Sequence, residues 1–247
     1  MKRMNLLWAM LALFSALSFG QKKYEMVIEK TDGTESVFNT EDVVRSYFRE
    51  KNQNHGYTSC PDFNHPHMID LGLPSGTKWA CSNVGATKPE QYGGYYAWGE
   101  VSEKSYYDWN TYSHCNGTSS SCHNLGSDIA GTQYDVAHVQ WGGSWVMPSL
   151  DQIKELLDHC SSEWTTENGV YGMRFTGSNG GSIFLPAAGH RWCGDLYSAG
   201  EYGYYWSSTQ NPDSSYCACN LGFGSGYAYW YDYYRLYGQS VRPVVRN

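Results

Sequence analysis

The sequence is poor in charge. Asp, Glu, Lys and Arg make up only 17% of its 247 residues and leave a net charge of −7. A nucleic-acid binder ordinarily carries a basic stripe, so this balance argues against that partner. Long apolar runs are scarce too. The longest, Leu6 to Phe19, falls short of the roughly 18 residues needed to cross a bilayer. Catalytic signatures are missing: there is no GxSxG, no HExxH and no phosphate-cradling glycine loop. From His190 to Asn247 there is neither Lys nor Met, Glu occurs only at 201, and Gln only at 210 and 239.

Glycine and tyrosine are abundant instead, at 27 and 22 residues. Many glycines and aromatics with little charge predict a loop-rich, partly β structure rather than a helical bundle. Lys2 and Arg3 precede the Leu6–Phe19 run, with small residues Ser18 and Gly20 after its core. That order predicts a secretory signal peptide over 1–20. No cysteine follows it directly, so a lipoprotein-type anchor is not expected. The eight cysteines all lie downstream, and an even count in an exported chain favours disulfides. The local candidate is Cys115 with Cys122, which closes a short polar loop. His114, Cys115, Cys122 and His123 also compose a Cys₂His₂ zinc set, but adjacent His-Cys pairs do not easily aim at one ion.

The chain divides by pattern. "YEMVIEK" and "ESVF", joined by "TDGT", read as a hairpin, and "NTEDVVRSYFRE" as a helix after it. Residues 21–50 thus form a small N-terminal unit and 51–67 a polar linker. The main domain is 68–247. There, Ser149 and Gln152 predict a capping box for a helix whose stripe is Leu150, Ile153, Leu156 and Leu157. A second helix is predicted over 134–141. Short runs broken by Gly, Asn and Ser then read as strands. The fold class is α+β: two helices, a small twisted antiparallel sheet and long loops.

"DLGLPSGTKWA", "NVGA", "YYAWGE", "WGGSWVMPS", "TENGVYGMRFTGSNGGSIFLPAAG", "GYYWSST" and "GQSVRPV" occur in one order along the chain. Together they resemble the Fibrobacter succinogenes major paralogous domain, over roughly 68–245. One departure is that the family often has a cysteine where this chain has Ser82, next to Cys81. The resemblance implies a C-type-lectin-like fold whose end strands, "HMIDLG" and "SVRPVV", pair with each other. It implies a ligand face on the loops between late strands, as in the variable proteins of diversity-generating retroelements. There, adenine-derived codons are rewritten, which yields Tyr, Ser, Asp, Asn, Gly, Cys, Ala, Leu and a few others but never Lys, Glu, Gln, Met or Trp. On that pattern Leu221, Phe223, Ser225, Trp230, Arg235 and Gly238 read as scaffold. Cys217, Cys219, Asn220, Gly222, Tyr227, Tyr229, Tyr231, Asp232, Tyr233, Tyr234 and Leu236 belong to the changeable set. The Glu-Pro-Asn or Gln-Pro-Asp triplet of calcium-dependent animal lectins is absent, and "NPD" at 211–213 is alike in letters only.

Tyr227, Tyr229, Tyr231 and Tyr233 recur with period two, which in a strand places them on one face. Tyrosine joins a rigid apolar ring to a polar tip at low entropy cost, the reason binding loops use it. The expected ligand face is Asp195, Tyr197, Tyr202, Tyr204, Asn211, Asp213, Tyr216, Asn220, Tyr227, Tyr229, Tyr231, Asp232, Tyr233 and Tyr234. Trp206 in "YWSST" reads as buried scaffold, and His190 as a loop contact. No cofactor and no metal is expected. The partner expected is a protein or glycan surface, met at the cell exterior or in the periplasm. Two alternatives remain: an enzyme of the formylglycine-generating type using Cys217 and Cys219, or a structural surface subunit of pilus-tip kind.

Overall fold

The computed structural model describes residues 25–29, 35–39 and 68–245. The chain divides into two compact units, Met1–Asn52 and Gln53–Asn247, taken here one at a time. In the first, β1 (Glu25–Glu29) and β2 (Glu35–Asn39) pair antiparallel, with Val27 opposite Val37. The expected signal segment, the helix after the hairpin, the linker and Cys60 lie outside the described residues.

The second unit opens with β3 (Met68–Asp70) and β4 (Lys78–Ala80). A long irregular stretch leads to α1 (Val136–Trp141), β5 (Trp145–Val146) and α2 (Leu150–His159). Next come β6 (Cys160–Glu167), β7 (Val170–Gly177) and β8 (Ser182–Pro186), then the small pair β9 (His190–Trp192) and β10 (Asp195–Tyr197). The chain finishes with β11 (Gly203–Gln210), β12 (Cys217–Gly224), β13 (Tyr227–Tyr234) and β14 (Val244–Val245). The sheets run β6-β7-β8, β9-β10, β11-β12-β13 and β3-β4-β14-β5, and every named strand pair is antiparallel. Two helices with small antiparallel sheets make the class α+β.

The end strands are not each other's partners, contrary to what the resemblance implied. The turn closed by Gly76 N donating to Leu73 O folds β4 back on β3. The outer edge of β4 then receives β14, with Val244 opposite Trp79. Lys78–Ala80 therefore separates the two.

Local chemistry explains the helix that anchors the core. Ser149 Oγ accepts from Gln152 N, and Gln152 Oε1 accepts from Ser149 N, which completes the capping box. Ile153 and Leu156 are buried with Leu71, Trp79, Phe175, Leu221 and Phe223. Full burial of each aliphatic side chain contributes about 1.5–3 kcal/mol. Gly177 is required by a close approach: a Cβ there would collide with the carbonyl of Leu71.

The long stretch from 81 to 135 has little regular structure, so its polar groups must find partners elsewhere. Trp98 Nε1 donates to Ser207 O at 2.9 Å and Trp206 Nε1 to Tyr96 O at 2.8 Å. Both indoles are fully buried. Arg242 holds the end of the chain. Its Nε donates to Asn83 Oδ1, Nη1 to the carbonyls of Ala80 and Cys81, and Nη2 to Phe184 O. Burial pushes its pKa down, but these acceptors take up the guanidinium donors. Cys115 and Cys122 form a disulfide, so their sulfurs bind each other rather than a metal.

Candidate functional site

The register of β11, β12 and β13 sets the geometry of the site. Gly222 in the central strand faces Tyr204 on one side and Tyr229 on the other. Asn220 faces Tyr231, Ala218 faces Tyr233, and Gly224 faces Tyr227. Small residues in the middle strand leave room for rings from both edges to fold over it. On the opposite face, Leu221, Phe223, Tyr205 and Ala228 enter the α2 core.

Six tyrosines close a circuit on the open face. Ring centroids are 6.4 Å apart for Tyr204–Tyr202 and for Tyr202–Tyr227, then 5.0 Å for Tyr227–Tyr229. Tyr229–Tyr231 at 5.9 Å, Tyr231–Tyr233 at 6.0 Å and Tyr233–Tyr204 at 5.3 Å complete it. These are spacings of favourable aromatic pairs. Tyr227, Tyr229 and Tyr231 are exposed, Tyr231 at 53%.

A basin of about 190 Å³ lies among these rings, with Asn220 and Gly222 in its lining. Asn220 is completely buried. Its Nδ2 donates to Gln239 Oε1 at 2.9 Å, while Asn220 Oδ1 and Gln239 Nε2 have no partner among the described residues. A buried polar atom left unpaired costs about 1–3 kcal/mol, so this amide pair holds spare bonding capacity. A Cβ built on Gly222 would meet only Tyr229 O, 4.0 Å away, so the space above it is open. Burial, then the neighbouring phenols, pushes Tyr204 and Tyr227 above the usual tyrosine range. Their hydroxyls therefore stay neutral and serve as donors and acceptors.

The aromatic surface continues beyond the circuit. His190 contacts Tyr197, Tyr204, Tyr233 and Tyr237, and burial holds its imidazole below the usual histidine range. Trp192 touches Tyr197 and Tyr237, and Tyr234 stacks on Tyr237 and meets Tyr216. On the other flank, Trp164 and Tyr171 stack at 6.0 Å on the β6–β7 hairpin. They border a second basin of about 360 Å³, whose lining includes Tyr202 and Tyr227. A larger hollow of about 450 Å³ near Glu100, Lys104 and His114 lies away from this face. There Lys104 pairs with Glu100 at 2.8 Å and His114 Nε2 bonds Gly99 O, so its charged groups answer one another.

The expected face is thus only partly assembled. Tyr202, Tyr204, Tyr227, Tyr229, Tyr231 and Tyr233 converge, with Tyr197 joined through His190. Tyr216 and Tyr234 meet at the far end of the sheet. Asn211 and Asp213 form a turn after β11, where Asp213 N donates to Asn211 Oδ1. Asp195 lies on the exposed β10 strand. Asp232 pairs with Cys219 in register and, by alternation, lies on the α2 side. Asn220 is buried rather than displayed, as are Cys217, Cys219 and Leu236 of the changeable set. Trp230, read as scaffold, is 46% exposed, with Lys154 Nζ 5.2 Å above its ring. Alternation and the α2 helix explain both outcomes: β12 is covered on each face, while β13 is an edge strand.

Cys217 and Cys219 are unbonded to each other and buried. Burial and Asp232 push Cys219 up to about 11, and Cys217 also moves up. Such thiols stay protonated at neutral pH and are poor nucleophiles. The sequence reading missed Trp192, Tyr237, Trp164 and Tyr171, and it placed Gly222 in the changeable set without its role as the floor. Gly222 had a signal, a glycine amid a strand, which marks a close approach or an opening for a ligand.

A family model described as a domain of unknown function (DUF8237) matches residues 161–244. The match begins in β6, ends in β14 and takes in the whole tyrosine sheet. No curated protein and no solved structure matches the chain.

Proposed function

We propose that this is an exported ligand-binding or adhesion protein, which docks its tyrosine face on a protein or glycan surface without chemistry. The observation that carries the reading is the closed circuit of six tyrosines with three rings open to solvent. Rigid amphipathic rings give contact area at little entropic cost. The scaffold is read as C-type-lectin-like, of the Fibrobacter succinogenes major paralogous type. Two helices, small antiparallel sheets and long pinned loops are in keeping with it. The Cys115–Cys122 disulfide accords with an oxidising compartment, as export to the periplasm or cell exterior would provide. If the face is diversified, change is expected at exposed Tyr227, Tyr229, Tyr231 and Tyr234, not at buried Asn220 or Leu236.

The test is binding of the full chain to arrays of immobilised glycans and of extracellular protein domains. The double variant Tyr229→Ala/Tyr231→Ala should lose every specific signal while melting at nearly the same temperature. Retained binding in that variant would sink the proposal.

A further inference from the structure

Resting on that reading, we propose that the ligand is a neutral glycan chain held in two adjacent seats. One sugar ring enters the tyrosine circuit over Gly222, and the next lies against the Trp164–Tyr171 ledge.

Size comes first. The circuit encloses about 190 Å³. A cavity of about 150 Å³ holds one benzene ring, so the basin accepts a single six-membered ring. The second is chemistry. The walls are aromatic and suit the C–H faces of a ring, and Asn220 in the lining carries Oδ1, a buried acceptor with no partner among the described residues. A hydroxyl can donate to that acceptor, where a hydrocarbon or a quaternary ammonium cannot.

The third is continuity. Tyr227 lines both basins and stacks at 6.4 Å on Tyr202 of the second, so its ring is the wall they share. Two seats on either side of one wall fit two linked rings better than one isolated ring. The fourth is charge. Glu201 is the only carboxylate lining either basin, and neither is lined by Lys, Arg or His. A uronic acid or sulfated sugar would find repulsion and no cation, which selects neutral units.

The full chain is titrated calorimetrically with neutral hexasaccharides of glucose, mannose, xylose and N-acetylglucosamine, with their monosaccharides, and with an alginate hexamer. At least one neutral hexamer should bind ten-fold or more tightly than its monosaccharide, and the alginate hexamer should not bind. Gly222→Leu should abolish that binding with little change in melting temperature, because a Cβ there meets nothing nearer than Tyr229 O at 4.0 Å and the rest of the side chain fills the basin. Trp164→Ala should weaken the hexamer about ten-fold and leave the monosaccharide unchanged.

The inference is overturned if no neutral hexamer binds at millimolar concentration, if hexamer and monosaccharide bind alike, or if Gly222→Leu has no effect. Protein-domain binding lost in Tyr229→Ala/Tyr231→Ala but kept in Gly222→Leu would overturn the glycan inference and leave the adhesion reading standing. Loss of neither signal in the tyrosine double variant would overturn both.

Discussion

The guanidinium of Arg235 lies 4.6 Å above the ring of Trp98. Arg235 Nε also donates to Tyr112 Oη at 2.8 Å, and Nη1 to the carbonyls of His123 and Ser215. The residue that follows the tyrosine strand is therefore clamped to the long irregular stretch, and Arg235 and Trp98 are both fully buried. Arg235→Ala would leave a cavity and several unpaired polar groups. We expect a loss of about 3–5 kcal/mol. Thermal melting should fall by about 10 °C or more. Arg235→Lys should recover little, because an ammonium cannot both stack and fork.

The tyrosines should separate by what each touches. Tyr231 is exposed, and its ring pairs with those of Tyr229 and Tyr233. Tyr233 is half-buried against Tyr204, Tyr231, Tyr237 and His190. Tyr231→Ser is expected to cost within about 1 kcal/mol. Tyr233→Ser should cost more, since each aromatic pair adds about 0.5–1.5 kcal/mol beyond area burial. Tyr205→Ala should cost most, because that ring is buried and its hydroxyl donates to Pro186 O at 2.7 Å. Urea unfolding of the three variants gives the order directly.

Thiol labelling discriminates the binding reading from chemistry at Cys217 and Cys219. In a Cys60→Ser background, native protein should react first at Cys160 and Cys193, which are half-buried. Cys217 and Cys219 should react only as fast as the domain unfolds. Rapid modification of either at neutral pH would favour the enzyme reading instead.

Much of this was legible in the sequence where local rules act alone. The α2 cap needs only Ser149 and Gln152 at the right spacing, and the Tyr227–Tyr233 alternation needs only a strand. What escaped depends on which strand lies beside which. Asn220 looked displayed because asparagine belongs to the set that rewritten codons yield; two flanking strands and the amide of Gln239 bury it. Trp230 read as scaffold because rewritten codons never yield Trp; its exposure follows from β13 being an edge, where Lys154 shields only part of the ring. The pairing of the chain ends failed for the same reason, since no local pattern announces that Lys78–Ala80 slips between them.

Acid should loosen the aromatic cluster before it unfolds the rest. Burial lowers the pKa of His190, and burial likewise lowers that of His114 despite its bond to Gly99 O. For a histidine depressed in the folded state, the unfolded chain binds the extra proton first. Stability is then full above the unfolded value of about 6.5 and is lost progressively as pH falls through the folded values. Melting temperature should therefore hold steady from pH 8 to 7 and decline below 6.5. His190→Gln should flatten part of that decline, and His190→Gln with His114→Gln should flatten more. The difference between parent and variant cancels the carboxylates, which titrate in both. A decline of equal slope in parent and double variant would show that neither imidazole is the group being forced to charge.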